Sequence, residues 1–118
     1  MGRERDLKQR TMRFALDVMG FGRLLPENLE GRHIRSQLFR AGTSVAANYR
    51  AACQGQSRAD FIAKLGIAIE ESDEAEFWLE LIARSNLVPP GSETALRQEA
   101  HELTAILIQS RKTARANR

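Results

Sequence analysis

The chain has 118 residues, of which 42% are apolar and 28% charged, and this balance excludes a disordered segment. No apolar run of about eighteen residues is present, which excludes a membrane span, and the one cysteine cannot form an internal disulfide. The net charge of +3 divides into +6 over residues 1–58, −7 over residues 59–102 and +4 over residues 103–118. We therefore expect one cytoplasmic domain over residues 1–118, without a membrane partner.

The first predicted helix covers about residues 4–25. Its core stripe follows steps of three and four, as on the buried face of an amphipathic helix, and consists of Leu7, Thr11, Phe14, Val18, Phe21 and Leu25. Pro26 ends the helix because it cannot donate a backbone hydrogen bond. A second apolar line lies nearly opposite and consists of Met12, Leu16 and Met19. A lone bundle would leave this line exposed, so we expect it to contact another molecule.

The second predicted helix covers about residues 32–53 and has two unlike faces. Its core stripe, at about 100° per residue, consists of Ile34, Leu38, Ala41, Val45, Tyr49 and Ala52. Its arginine-rich side carries Arg32, Arg35, Arg40 and Arg50. These side chains are suited to phosphate, but the same pattern is typical of a solvated face or of pairs with the acidic residues of a neighbouring copy.

The third predicted helix covers about residues 58–85, and Ser57 with Asp60 resembles a capping box at its start. Its core stripe consists of Phe61, Leu65, Ala68, Ser72, Ala75, Leu79 and Ile82. A second apolar line, on another side, consists of Ile67, Trp78 and Leu81 and is threaded by Glu71 and Glu74. We expect these five residues to form an interface between copies, in which the two carboxylates pair with arginines.

The segment NLVPPG, residues 86–91, breaks the helical pattern because two consecutive prolines remove backbone donors. Ser92 is the predicted cap of a fourth helix over about residues 92–114, whose stripe consists of Leu96, Ala100, Leu103, Leu107, Ser110 and Ala114. The tail, residues 111–118, carries the cations Arg111, Lys112, Arg115 and Arg118. They add non-specific phosphate contacts if the tail binds nucleic acid, and otherwise form an ordinary polar tail.

Four amphipathic helices joined by short links predict an all-α, up-down-up-down four-helix bundle. The second apolar lines on the first and third helices exceed what one bundle can bury. We therefore expect the chain to form a homo-oligomer, which would take these lines out of water.

Enzyme chemistry is the weakest of three classes of function, the other two being nucleic-acid binding and the docking of a protein partner. A di-iron bundle needs Glu-x-x-His on two helices, and the one such spacing, Glu30 to His33, spans a helix start. Ser44 and Asn48 lie four residues apart without a histidine in helical reach, so a hydrogen bond at the core edge is the better interpretation than a nucleophile. Cys53 is interpreted as a small apolar filler. We expect no catalytic residue, no metal and no cofactor.

Several motifs resemble a known family, the four-helix bundle proteins of 23S rRNA intervening sequences, or S23 family. In the second helix the resemblance is carried by Gln37, Leu38, Arg40, Ala41, Ser44, Val45, Asn48 and Tyr49. In the third helix it is carried by Phe61, Leu65, Ile67, Ala68, Glu71, Glu74, Phe77, Trp78 and Leu79. The resemblance covers roughly residues 7–112. Phe39 departs from it, since the family commonly has the first Arg of a pair there.

The resemblance implies a four-helix bundle that assembles as a homopentamer, with a basic surface or channel suspected of binding nucleic acid. It further implies a possible protein partner, because related proteins are accessory factors that bind a reverse transcriptase and RNA. It implies no enzymatic activity.

The sequence thus predicts a non-enzymatic homo-oligomer that binds RNA or DNA. The candidate nucleic-acid contacts are Arg32, Arg35, Arg40, Arg50, Arg111, Lys112 and Arg115. The candidate oligomer contacts are Met12, Leu16, Met19, Ile67, Glu71, Glu74, Trp78 and Leu81. The alternative is a scaffold that docks a protein partner, and salt dependence separates the two because phosphate contacts weaken steeply as salt rises.

Overall fold

The computed structural model describes residues 2–117, apart from the side chain of Arg3. Four helices occupy most of this range: α1 (Gly2–Gly22), α2 (Leu29–Cys53), α3 (Arg58–Ser85) and α4 (Thr94–Ala116). The described residues contain no strand, so the predicted all-α class is confirmed. No helix in residues 2–117 combines the length and apolarity that a bilayer crossing requires.

The helices run antiparallel to their neighbours in an elongated bundle measuring 49 × 21 × 19 Å. Each helix packs on the next in the chain, and α4 closes the bundle against α1 with a smaller contact. Arg10 of α1 reinforces that closing contact, since its guanidinium donates to both carboxylate oxygens of Glu99, at 2.7 and 2.8 Å, and to Glu102 at 2.9 Å. The topology is the predicted up-down-up-down bundle.

The core is made of the stripes that the sequence periodicity indicates. Its largest fully buried side chains come from all four helices and include Phe14, Leu38, Leu65, Leu79, Ile82, Leu103 and Leu107. Thr11 and Ser72 are fully buried polar residues, at 1% and 0% exposure. The Thr11 hydroxyl donates to the carbonyl of Leu7 at 2.8 Å, and the Ser72 hydroxyl lies 3.1 Å from the carbonyl oxygen of Ala100 and 2.7 Å from the Thr104 hydroxyl. These contacts satisfy polar groups that would otherwise be costly to bury.

The ends of α1 and α2 differ from the predicted boundaries. Regular helix ends at Gly22 rather than at residue 25, and the chain tightens into turns in which Leu24 N donates to Phe21 O, at 2.9 Å. Helix α2 begins at Leu29 rather than at residue 32, because the Asn28 side chain accepts from Gly31 N at 2.8 Å. A Cβ at Gly31 would lie 2.0 Å from the carbonyl oxygen of Pro26, so only glycine fits there.

Helix α3 has the predicted bounds, and Ser57 caps it by accepting from Asp60 N at 3.1 Å. Ser92 is not the cap of α4, which begins at Thr94 and ends at Ala116 rather than covering residues 92–114. The Ser92 hydroxyl instead donates to the carbonyl of Pro89 at 2.7 Å, within the turn that the two prolines impose. The residue before α4, Glu93, makes no capping hydrogen bond with its side chain.

Helices α1 and α2 approach closely at Gly42. A Cβ there would lie 2.8 and 2.9 Å from the two methyl carbons of Val18. The Arg35 stem packs in the same way over Gly22, with its Cγ 3.3 Å from where a Cβ would stand. The absence of side chains at these two positions sets the spacing of α1 and α2.

Candidate functional site

One exposed surface carries both candidate nucleic-acid contacts and candidate oligomer contacts. Met12, Leu16 and Met19 lie along one side of α1, and Arg32, Phe39 and Arg50 follow spacings of seven and eleven along one side of α2. We call this surface the α1–α2 face. Its large apolar side chains are well exposed: Met12 is 47%, Leu16 55%, Met19 39% and Phe39 47% exposed. The face is therefore amphipathic, with an apolar middle and arginines towards its two ends.

A cleft of about 450 Å³ opens in the α1–α2 face near the end of α1. It is lined by Val18, Met19, Gly22, Arg23, Arg32, Arg35, Ser36 and Phe39. Small-molecule sites in proteins commonly have volumes of about 300–1,000 Å³, so the cleft is large enough for one aromatic group. Its apolar lining comes from Val18, Met19 and Phe39, and its charge comes from three guanidinium groups.

The three arginines of the cleft are in different electrostatic states. Arg35 donates to Glu27 at 2.6 Å, and this contact raises the pKa of Arg35 and lowers the pKa of Glu27. Arg23 and Arg32 form no ion pair with a described residue, although Arg32 also contributes to lowering the pKa of Glu27. Two of the three positive charges are therefore available to an anion that enters the cleft.

Arg40 belongs to a different environment, at the seam between α2 and α3. Its guanidinium donates to both carboxylate oxygens of Glu71, at 3.0 and 3.2 Å, and also to Glu74. The Trp78 indole donates to the same Glu74 oxygen at 3.0 Å. The carboxylates of Glu71 and Glu74, which were predicted to pair with arginines of another copy, are thus paired within one chain. Among the predicted phosphate contacts, Arg40 is the one whose charge is compensated by two carboxylates.

The predicted interface residues of α3 divide into two groups. Glu71, Glu74 and Trp78 are half-buried in the seam just described, and the Trp78 ring meets Phe77 edge to face at 5.0 Å. Ile67 and Leu81 are 42% and 38% exposed. With Phe77, which is 54% exposed, they form an apolar surface on the outer side of α3.

The remaining candidate cations lie at the opposite end of the bundle from the cleft. Arg50 is near the end of α2, and Lys112 and Arg115 are exposed on the last turns of α4. Arg111 lies against α3, where its Nη1 would be 3.7 Å from a Cβ at Gly66, and its buried Nε has no hydrogen-bond partner among the described residues. The structure thus places the six candidate arginines and the one candidate lysine in more than one patch. Arg118 lies outside the described residues.

The residues considered for enzyme chemistry have other contacts. The Asn48 side chain donates to the Ser44 carbonyl at 2.9 Å, so it does not engage the Ser44 hydroxyl. Burial raises the pKa of the Cys53 thiol, which keeps it protonated and weakly nucleophilic. No group of three potential metal ligands occurs among the residues that the structure describes.

Among the cleft residues that were not predicted as site residues, which also include Val18, Gly22 and Ser36, Arg23 and Phe39 supply a charge and an aromatic ring. Phe39 lies seven residues after Arg32, and this spacing, two helical turns, was the signal that places them on one side of α2. Arg23 had no comparable signal. It follows the last turn of α1, and its place in the cleft depends on how the turn before Pro26 directs the chain.

Comparisons with known proteins agree with the fold. The sequence model of the 23S rRNA-intervening sequence protein family matches residues 3–109. A crystal structure of a protein with unknown function from the S23 ribosomal protein family of Bacteroides thetaiotaomicron VPI-5482 is similar, with a TM-score of 0.85 and 34% sequence identity. That similarity covers 92% of this chain and 97% of the other. No curated protein matches the chain. By its sequence and its bundle, the chain belongs to the 23S rRNA-intervening sequence protein family.

Proposed function

We propose that this protein is a non-enzymatic homo-oligomer that binds nucleic acid through the arginines of the α1–α2 face. The observation that carries the proposal is the state of Arg32 and Arg50. Both are exposed on the same side of α2, and neither forms an ion pair with a described residue. Free guanidinium groups on one helix side are suited to the bidentate contacts that phosphates accept.

The spacing of these arginines supports a polyanion rather than a small anion. Eighteen residues separate Arg32 from Arg50, a rise of roughly 27 Å along α2. A nucleic-acid strand advances about 3.4 Å per nucleotide, so roughly eight nucleotides cover the same length. The family description, which refers to 23S rRNA intervening sequences, makes RNA the first nucleic acid to test.

The oligomer in this proposal forms through the outer side of α3. Ile67, Phe77 and Leu81 are exposed there, beside the exposed acids Glu70 and Asp73. Burial of three large apolar side chains favours association, and a contact on this side leaves the arginines of the α1–α2 face free for nucleic acid. The resemblance of the sequence to its family suggests five copies.

The experiment that tests nucleic-acid binding is fluorescence anisotropy of a labelled structured RNA and a DNA duplex, at low and at moderate salt. The Arg32→Ala/Arg50→Ala variant should lose most of the binding, and the wild type should bind less tightly as salt rises. Arg84→Ala is the control, since Arg84 is an exposed cation on α3. Absence of binding at low salt by a folded oligomer overturns the proposal.

A second candidate is a scaffold that docks a protein, such as a reverse transcriptase, on the same face. The exposed line of Met12, Leu16 and Met19 favours it, because an apolar surface of this kind is typical of protein contacts. Association with a protein partner through this line would change little with salt and would be lost in Leu16→Asp. The two candidates compete for one face, so the Arg32→Ala/Arg50→Ala variant should keep the partner if the scaffold is correct.

A further inference from the structure

We propose that the cleft in the α1–α2 face holds one unpaired base of a single-stranded nucleic acid, stacked on Phe39, with the neighbouring phosphates bound by Arg23 and Arg32. This inference rests on the proposed function and adds to it a preference for single strands over duplexes. It is carried by the lining and the charge of the cleft.

The lining supplies an apolar surface for a flat ring. Val18 forms part of it and is 1% exposed, whereas the side chains of Met19 and Phe39 remain 39% and 47% exposed. An exposed aromatic ring beside a methionine is a stacking surface that every nucleobase can use. The volume of about 450 Å³ accommodates a base but not the width of a duplex.

The charges of the cleft favour an anionic occupant. Arg23 and Arg32 form no ion pair with a described residue, Arg35 is paired with Glu27, and that one carboxylate, whose pKa Arg32 also lowers, is outnumbered by three arginines. An apolar ligand would leave these guanidinium groups without a counterion, and a neutral peptide would do the same. A nucleotide supplies both an aromatic ring and a phosphate within one unit, which matches the composition of the lining.

The preference for single strands over duplexes follows from the same geometry. In a duplex the bases are stacked and paired, so none reaches an aromatic ring at the protein surface unless it is extruded at a cost of a few kcal/mol. In a single strand the bases can turn outward and stack on aromatic side chains. A phosphate contact alone would bind both forms, and the base pocket is therefore the source of the preference.

The test compares Phe39→Leu with Phe39→Tyr. Both change the same exposed side chain, but tyrosine keeps the aromatic ring on which a base would stack and leucine does not. The probe is a short single-stranded RNA containing one 2-aminopurine, with a blunt duplex of the same sequence for comparison. Phe39→Leu should weaken single-strand binding by roughly 5- to 150-fold, the affinity that one stacked base contributes. It should also abolish the quenching of 2-aminopurine, and leave duplex binding unchanged.

The alternative outcomes are distinct. If Phe39→Leu leaves single-strand affinity unchanged while Arg32→Ala/Arg50→Ala abolishes binding, the base pocket is overturned and the proposed function stands. If the wild type binds no nucleic acid at low salt, both fall. If Phe39→Leu lowers the sedimentation mass and Phe39→Tyr does not, a second copy of the chain occupies the cleft, and the base pocket is overturned.

Discussion

Arg40 on α2 donates hydrogen bonds to both carboxylate oxygens of Glu71 on α3, at 3.0 and 3.2 Å. The same guanidinium donates to Glu74, which also accepts from the Trp78 indole. This arrangement joins the two helices and compensates the charge of Arg40. It separates Arg40 from Arg32 and Arg50, with which it shares a helix but not a role.

Arg40→Ala should therefore affect stability rather than nucleic-acid binding. We expect a loss of about 1 kcal/mol in the free energy of unfolding, since Arg40 and its partners are partly exposed and such pairs contribute modestly. The slope of log affinity against log salt should stay at its wild-type value. Arg32→Ala should show the reverse: unchanged stability and a salt slope smaller by about 1. Equal losses of affinity in the two variants would contradict this assignment.

Glu27→Gln should strengthen nucleic-acid binding at neutral pH, because it frees Arg35 from its partner 2.6 Å away. In the wild type, Arg35 lowers the pKa of Glu27, so the carboxylate stays charged below the ordinary Glu value of about 4.3. The pair therefore contributes its full stabilisation at pH values above the ordinary Glu pKa. This contribution is lost as the pH falls through the lowered pKa of Glu27. The Glu27→Gln variant should lack this part of the acid destabilisation in thermal melts.

Glu30→Gln is the matched control for Glu27→Gln. Glu30 lies in the first turn of α2 and forms no ion pair with a described residue. The Glu30→Gln substitution removes one negative charge from the same region without breaking an ion pair with an arginine. If the two variants bind RNA equally well, the effect comes from net charge and not from Arg35.

Gly42→Ala should destabilise the protein although alanine is the better helix former. The added Cβ would stand 2.8 Å from a methyl carbon of Val18, whose branched side chain has little freedom to move. We expect a loss of about 1–3 kcal/mol, measured by chemical denaturation. Gly20→Ala is the control, since nothing lies within 4 Å of its Cβ position, and it should stabilise by about 0.5–1 kcal/mol. Stabilisation by both variants would show that α1 and α2 can separate freely.

Ser72→Ala should lower the free energy of unfolding by about 1 kcal/mol, the usual net contribution of a buried hydrogen bond. Its hydroxyl is fully buried and lies 2.7 Å from the hydroxyl of Thr104. Ser85→Ala tests the specificity of that effect: Ser85 is exposed near the end of α3 and its hydroxyl donates to Ile82 O. It should change the thermal midpoint by less than Ser72→Ala does, and an equal change would refute the role of burial.

Leu81→Asp should lower the sedimentation mass of the proposed oligomer without unfolding the chain, because Leu81 is exposed on the outer side of α3. Trp78→Asp should also lower the mass, but with a loss of stability, since Trp78 is half-buried and hydrogen-bonded to Glu74. Circular dichroism distinguishes the two. An unchanged mass in Leu81→Asp would exclude this side of α3 as the contact between copies.

The bundle could be predicted because helical periodicity reports burial directly. Leu38, Val45 and Tyr49 follow steps of seven and four, and all three are buried. The positions of the helix ends were harder to predict from the sequence, since they depend on individual contacts. Ser92 has the character of a cap, but the carbonyl of Pro89 engages its hydroxyl and α4 begins two residues later.

The pairing of side chains between helices could not be predicted in the same way. Arg40 and Glu71 are thirty-one residues apart, and they meet only because of the register in which α2 packs on α3. Periodicity assigns Arg40 to an exposed side and Glu71 to the edge of a stripe. It does not predict how far along the bundle axis each residue lies relative to the other. The same limit applies to the cleft, whose residues come from two helices and the turn after α1.

The close approach at Gly42 also determines how selective the cleft can be. Val18 is both the residue that Gly42 contacts and part of the cleft lining, so the missing side chain at position 42 influences the width of the proposed base pocket. A larger residue there would act as a wedge and widen that pocket from behind. The size of the base that the proposed pocket accepts would then be set from a position that no ligand touches.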